Sequence, residues 1–317
     1  YLQKKNYSHI KDEVRDTMEY VETIHERHEK GATVFGVPTG YDELDALTGG
    51  FQKSELIIIA GRPSHGKTAL ALNFARNAAV DHGKNIGIFS IEMSNRELAL
   101  RFICLESKVD IAKLKTGRLP ESDWAKIAKQ TPRLMSSKIN VIIDDSSPLS
   151  LLELRSKARR MKALQNIDMV MIDYLQLMEV SNKGNLDRHL EIAYITRGLK
   201  QLAKELDIPV VALSQLSRKV EERAGKEKRP QLSDLRESGA IEQDADVVIF
   251  INRPEVYISK DDPKFHEVQG LAEVIVGKQR NGPIGEAKLT FIHNYAMFAN
   301  RAKDAEPSYY APQDAPF

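Results

Sequence analysis

The sequence predicts an α/β fold in which helices cover both faces of a mostly parallel central sheet. Short apolar runs rich in β-branched residues alternate with longer helical segments, the pattern of buried parallel strands joined by helices. The first of these runs leads into a glycine-bounded loop and then into a segment of strong helix formers. The order strand, loop and helix is the context in which many proteins bind the phosphates of a nucleotide.

The composition is that of a globular chain with a charged surface. Of 317 residues, 42% are hydrophobic and 29% are charged, and no apolar run reaches the length of about eighteen that a membrane span needs. The start of the chain has neither an initiator Met nor the apolar segment of a signal peptide, so we expect a fragment or a processed chain. Because the net charge is only +1, any nucleic-acid site must be a local feature.

The one cysteine is expected to be a packed core thiol. Cys104 lies in an apolar helical run, and a chain with one cysteine cannot form an internal disulfide. Both observations fit a reducing compartment, which predicts a cytoplasmic location.

Residues 10 to 30 predict one amphipathic helix with a narrow apolar stripe. The stripe is formed by residues at helical spacing: Ile10, Val14, Met18, Val21 and Ile24. Two interpretations are open, because the stripe could pack on its own domain or on a neighbouring subunit. We therefore divide the chain into a linker helix (1–30), one α/β domain (31–303) and a tail (304–317), whose Pro, Ala and Tyr content predicts disorder.

Within the α/β domain, strands and helices alternate in the predicted order. Parallel strands are expected at 55–60, 85–90, 139–143, 167–172, 209–214 and 247–251, with antiparallel strands at 271–276, 286–292 and 296–298. Helices are expected at 41–47, 69–79, 96–107, twice within 110–130, at 149–164 and at 186–206. Ser94 is the predicted N-cap of the third of these helices.

The loop from Gly61 to Thr68 has the sequence GRPSHGKT and predicts a nucleotide site. Backbone N–H groups of the loop and of the following helix favour a polyphosphate. Lys67 would reach the β- and γ-phosphates, and the Thr68 hydroxyl would ligate Mg²⁺. The predicted nucleotide-binding residues are Gly61, Ser64, Gly66, Lys67 and Thr68.

Two acidic residues follow predicted strands and are candidates for hydrolysis. Asp173 ends the strand 167–172 and would be the second Mg²⁺ anchor through water, the alternative being a helix cap. Glu92 follows the strand 85–90, which we expect to lie beside the phosphate-loop strand. There it would orient and deprotonate the attacking water, the alternative being a solvated surface carboxylate.

Three further features point to sensing and to a second molecule. Gln215 ends a core strand and could hydrogen-bond the γ-phosphate, and the polar loop 216–240 that follows has the length of a functional loop. Near the end of that loop, Arg236 and Gly239 could meet a phosphate chain. Lys278 and Arg280 lie in a turn after a strand and would not reach this chain's own phosphate loop; they are either surface cations or a finger supplied to a neighbour's nucleotide.

Taken together, these stretches resemble the RecA-like motor of bacterial DnaB-type replicative helicases. The resemblance runs from about residue 33 to residue 302, in the family's order. It is carried by 48–51 (TGGF), 61–68, 89–93 (FSIEM), 173–176 (DYLQ), 213–218 (LSQLSR), 232–246 and 278–283 (KQRNGP).

The resemblance implies a hexameric ring that hydrolyses ATP at subunit interfaces and moves 5′-to-3′ on single-stranded DNA. By motif, Glu92 is the catalytic base, Gln215 the γ-phosphate sensor and Lys278 with Arg280 the trans-acting finger, while ATP and Mg²⁺ are held by Lys67, Thr68 and Asp173. The DNA-contacting residues implied in the same way are Arg236, Glu237 and Gly239.

The resemblance also implies partners. The linker helix would dock on the adjacent protomer, and a helicase loader would be expected to act on the ring. The collar domain that binds primase in the family has no counterpart in this sequence, which argues against primase binding by this stretch. Two rivals share the phosphate loop: a RecA-type recombinase that forms open filaments, and a KaiC-like ATP-dependent switch.

Overall fold

A computed structural model describes residues 9–29, 31, 34–178, 188–217, 220, 223 and 228–301. The predicted tail 304–317 and residues 1–8 of the linker segment lie outside this range. Helices are α1 (Ile10–Glu29), α2 (Asp42–Thr48), α3 (Lys67–Arg76), α4 (Asn95–Ser107), α5 (Ile111–Thr116), α6 (Glu121–Leu134), α7 (Leu151–Gln165), α8 (Arg188–Leu206), α9 (Gly239–Asp244) and α10 (Phe265–Val268). None of these described helices has the length and apolar content needed to cross a membrane.

Among the described residues, nine strands form one mixed sheet. They are β1 (Leu56–Gly61), β2 (Ile86–Ser90), β3 (Val141–Asp144), β4 (Met169–Asp173), β5 (Val210–Gln215), β6 (Val247–Asn252), β7 (Leu271–Gln279), β8 (Gly285–Ile292) and β9 (Met297–Asn300). Their order is β3-β2-β4-β5-β1-β6-β7-β8-β9. The first six in this order run parallel, and β7 to β9 extend the sheet with antiparallel pairs, as the sequence predicted.

One expectation about the sheet was wrong. The sequence predicts the strand before Glu92 beside the phosphate-loop strand, but β1 pairs with β5 and β6. β2 pairs with β3 and β4, so two strands separate it from β1. The order of the strands could not be predicted from local sequence, because each strand is a similar buried apolar run. Nothing in such a run shows that β4 and β5 lie between β2 and β1.

Helices pack on both faces of the sheet. Side chains of β1 alternate between two cores: Ile57 and Ile59 face the layer that contains α3 and α4, whereas Leu56 and Ile58 face the layer that contains α7 and α8. All four are fully buried. This double cover explains why the strands read as continuous apolar runs, and it holds the carboxyl ends of the parallel strands at one fixed edge.

Local capping agrees with the sequence where the caps were predicted. Ser94 begins α4 with a capping box in which its side chain and that of Glu97 bond each other's backbone N–H groups. Cys104, on the same helix, is fully buried. The segment 216–240 differs from the expected loop, because Leu232–Ser238 forms a 3₁₀ helix that leads directly into α9.

The apolar stripe of α1 is uncovered in the single chain. Ile10 is 78% exposed, and Val14, Met18 and Val21 are each about half exposed. Ile24 is partly buried at the end of the helix. The exposed residues of the stripe form an apolar surface on one face of the helix. Because apolar surface in water is unfavourable, this face is available to pack against a second molecule.

Candidate nucleotide-binding site

The carboxyl edge of the parallel strands opens into a cavity of about 630 Å³. Predicted site residues from four separate segments meet there, because β1, β2, β4 and β5 all end at this edge. The residues around the cavity include Arg62, Ser64, Gly66, Lys67, Thr68, Glu92, Arg101, Asp173, Gln215, Arg253, Phe291 and His293.

The phosphate loop is shaped by its glycines. A Cβ atom at Gly61 would lie 2.6 Å from Cγ2 of Ile251, so only glycine fits where β1 passes β6 this closely. Gly66 has a φ of 93°, in the left-handed region that favours glycine, and α3 begins at the next residue. Lys67, Thr68 and Ala69 line the cavity, so the first turn of α3, whose N–H groups have no partner within a helix, borders it and suits an anion. His65 is buried and accepts a hydrogen bond from the Arg253 backbone N–H (3.2 Å).

Thr68 and Asp173 form the candidate metal site. Thr68 lies beside the Asp173 carboxylate, close enough for its hydroxyl to lower the pKa of that group, and Oδ2 of Asp173 is buried with no hydrogen-bond partner among the described residues. Burial raises the pKa of Asp173 to about 6, and the nearby Glu92 carboxylate acts in the same direction. A hydroxyl beside a carboxylate with one free oxygen is the hard oxygen donor set that Mg²⁺ prefers, so these residues fit the ion.

Lys67 and Glu92 line the same cavity. Burial lowers the pKa of Lys67, while Asp173 and Glu92 raise it by their charges. Glu92 is exposed towards the cavity, so its carboxylate is accessible to water and to a ligand. The site therefore places a cation at the phosphate loop and a solvated carboxylate near the metal ligands.

Gln215 ends β5, directly beside the end of β1. Its Cα pairs in register with that of Gly61, and its side chain is exposed at the cavity. The backbone N–H of Gln215 donates to Oε1 of Gln176 (3.4 Å), and Nε2 of Gln176 donates to Ser214 Oγ (3.0 Å). This contact ties the end of β5 to the segment after β4.

Lys278 and Arg280 lie at the opposite edge of the sheet and do not line this cavity. β7 is longer than predicted and contains Lys278, and it returns antiparallel to β6, so Arg280 sits beside the start of β6. Both side chains bond carbonyl oxygens at the end of α9: Lys278 Nζ to Glu242 (2.5 Å) and Ala245 (2.7 Å), and Arg280 Nη2 to Gln243 (3.3 Å).

The predicted DNA-contacting residues lie at the junction of the 3₁₀ helix and α9. Gly239 is the first residue of α9 and is exposed. The backbone of Arg236 and Glu237 belongs to the 3₁₀ helix, whereas their side chains lie outside the described residues.

Sequence reasoning missed several charged residues around the cavity. Arg101 projects into it from α4, and Arg62 is buried beside it with Nη1 donating to the Leu216 carbonyl (2.8 Å). Arg253 and His293 follow β6 and β8 and line its other side. Arg62, Arg253 and His293 could have been found from their positions in the sequence. Each directly follows a strand, and such a residue lies at the same edge of the sheet as Asp173.

Residues 36–300 match the family model for the DnaB-like helicase C terminal domain. The chain is 43% identical over 306 residues to the replicative DNA helicase DnaB of Geobacillus stearothermophilus, covering 96% of this chain and 65% of that protein. It is 49% identical over 275 residues to the DnaB of Pasteurella multocida, covering 86% and 57% respectively.

Two solved structures resemble the fold. The ATPase domain of G40P superposes with a TM-score of 0.80 at 39% identity, covering 90% of this chain and 98% of that one. A DnaB-like replicative helicase, described with its interactions with primase, gives a TM-score of 0.78 at 39% identity, covering 90% and 66%. The chain thus spans 65% of the length of its Geobacillus relative. The chain belongs to the DnaB-like helicase C terminal domain family.

Proposed function

We propose that this chain is the ATP-driven motor of a replicative DNA helicase, which moves 5′-to-3′ on single-stranded DNA and unwinds duplex as a hexameric ring. The observation that carries the proposal is the cavity that joins the phosphate loop, the Thr68–Asp173 pair with its free carboxylate oxygen, and Glu92. Family membership supports the same function.

The chain's own residues divide the work of ATP hydrolysis. Mg²⁺, when bound with ATP, neutralises charge on the transferred phosphoryl group. Thr68 and Asp173 would hold the ion, and Lys67 would bind the β- and γ-phosphates at the start of α3. Glu92 would orient the attacking water and accept its proton, because its carboxylate lines this cavity and is exposed.

Gln215 would couple ATP hydrolysis to the segment that contacts DNA. Its side chain reaches the cavity, and the chain then runs through 216–231 to the 3₁₀ helix and α9. There Arg236, Glu237 and Gly239 would contact single-stranded DNA. A motor must ignore sequence, so these contacts should go to the phosphate backbone rather than to base edges.

In a ring, the neighbouring chain would complete each nucleotide site. Lys278 and Arg280 cannot serve the phosphate loop at the opposite edge of their own sheet, which supports a finger supplied in trans. The exposed stripe of α1 supports docking of the linker helix on the neighbouring protomer. A helicase loader would open the ring, and such a motor would work in the cytoplasm with the chromosome.

An ATPase assay with and without single-stranded DNA tests the proposal, run together with a mass measurement in solution. We expect hydrolysis that requires Mg²⁺ and rises when DNA is added, in assemblies of six chains. Lys67→Ala should remove hydrolysis and unwinding. Hydrolysis that does not respond to DNA would instead favour a switch ATPase, and open filaments would favour a recombinase.

A further inference from the structure

One buried carboxylate, Glu255, connects three separate segments on the β6 side of the cavity. Its Oε1 accepts hydrogen bonds from Nη2 (2.7 Å) and Nε (3.1 Å) of Arg253, and its Oε2 accepts one from the Gly270 backbone N–H (2.8 Å). Nε2 of His293 lies 3.0 Å from Oε1 and 2.8 Å from Nη2 of Arg253. Burial would raise the pKa of Glu255, but these hydrogen bonds lower it overall, so the group stays ionised.

Two of these partners, Arg253 and His293, form one wall of the cavity, whereas Glu255 itself does not line it. Arg253 is only 4% exposed, and its guanidinium lies 4.0 Å from the centre of the Phe291 ring. Its Nη1 also donates to the carbonyl of Ser64 in the phosphate loop (3.3 Å). The His293 side chain is 60% exposed, so its orientation depends on the contacts to Glu255 and Arg253 rather than on burial.

The order of the strands indicates which part of a nucleotide meets this wall. Glu92 follows β2 and Asp173 ends β4, both on one flank of the phosphate loop after β1. Arg253 and His293 follow β6 and β8 on the other flank. The terminal phosphate must face the two carboxylates, so the nucleoside must extend towards the flank that carries Arg253, Phe291 and His293.

We propose that Glu255 is a positioning residue that holds Arg253 and His293 as the nucleoside-facing wall of the site. This role rests on the proposed function, since it requires a nucleotide in the cavity. A neutral side chain at 255 would lose the ion pair with Arg253 and free the exposed imidazole to turn away. The phosphate loop would still bind the triphosphate group.

The experiment compares ATP with inorganic tripolyphosphate, which carries the phosphates without a nucleoside. Binding of each, with Mg²⁺, is measured by calorimetry on the full chain for the unchanged protein, for Glu255→Gln and for Glu267→Gln. The last is a matched control, because it removes the same charge from an exposed position on the nearby α10. We expect Glu255→Gln to weaken ATP binding about tenfold and to leave tripolyphosphate binding unchanged.

Several results would overturn the role. Equal losses for ATP and tripolyphosphate would show that Glu255 merely braces the phosphate loop or the fold, and unchanged ATP binding would show that the wall does not need it. If Glu255→Gln does not fold, Glu255→Asp keeps the charge on a shorter side chain and should still lose ATP selectively. Absence of ATP binding in the unchanged protein would instead refute the proposed function itself.

Discussion

Thr68, in the first turn of α3, lies beside Asp173 at the end of β4, close enough for its hydroxyl to lower the pKa of the Asp173 carboxyl. Oδ2 of Asp173 is buried with no hydrogen-bond partner within the described chain, and burial raises the pKa of Asp173 to about 6. An acid whose pKa is higher in the folded than in the unfolded state holds its proton more tightly when the protein is folded. Ionisation of that acid therefore lowers the stability of the fold. The contribution of Asp173 to stability therefore falls as pH rises from about 4 to about 6, and it stays low above that range.

Asp173→Asn should stabilise the protein in the absence of metal and nucleotide. The difference between 3.8 and about 6 corresponds to at most about 3 kcal/mol, so we expect a gain of about 1–3 kcal/mol at pH 7.5 in urea unfolding. The same variant should lose Mg²⁺-dependent hydrolysis. Glu92→Gln removes the same charge from an exposed position, and an equal gain there would show that burial is not the cause.

Mixed rings test whether the finger acts in trans. Lys67→Ala and Arg280→Ala chains should each be inactive alone, but a mixture contains interfaces with an intact phosphate loop on one side and an intact Arg280 on the other. We expect the ATPase rate of the mixture to recover to a measurable fraction of the unchanged protein's rate. No recovery, with mixed rings confirmed by native mass spectrometry, would contradict a shared site.

Arg236→Ala should weaken binding of single-stranded DNA of every sequence. Loss of one phosphate contact should also reduce the slope of log affinity against log salt by about 1. Fluorescence anisotropy over a salt series measures both effects. Arg160→Ala, at an exposed position on α7, is the control and should change neither. A loss confined to one base sequence would show base readout instead.

The exposed stripe of α1 should be needed for assembly. Val14→Lys places a charge where the proposed interface is apolar, and we expect light scattering to show a shift from hexamers to smaller species at the same protein concentration. Glu19→Gln changes the net charge by the same amount on the opposite face of α1. If both variants assemble equally well, the stripe is not an intersubunit surface.

Cys104 should be chemically inert while the protein is folded. Its side chain is fully buried, and burial raises the pKa of the thiol to about 11, so almost no thiolate exists at pH 8. Iodoacetamide should therefore label it only in denaturant, as judged by intact mass. Rapid labelling of the folded protein would contradict this packing.

The helices and strands of the fold could be predicted from the sequence, and so could the residues on the phosphate side of the cavity. The phosphate loop, Asp173 and Gln215 could be found because each directly follows a buried apolar run that marks a parallel strand. The position of β2 could not, because strand order depends on which crossovers the whole chain can pack, and Ile86 to Ser90 reads the same in either place.

The Arg253–Glu255–His293 cluster lay beyond sequence reasoning for another reason. Its members come from the segments after β6 and β8, which become neighbours only when the antiparallel extension folds back beside β6. Charged residues in such segments usually lie on solvated surfaces. Only burial and the hydrogen bonds to Glu255 distinguish Arg253 from an ordinary surface arginine.

The return of β7 alongside β6 has a genetic consequence. It carries Arg280 to the edge of the sheet opposite Gly61, so under the proposed trans finger a chain with a changed Arg280 would impair the site of a normal neighbour while leaving its own phosphate loop intact. In a cell that makes both kinds of chain, a few defective copies would enter most rings. We therefore expect alleles that change Arg280 to be dominant, and alleles that prevent assembly through α1 to be recessive.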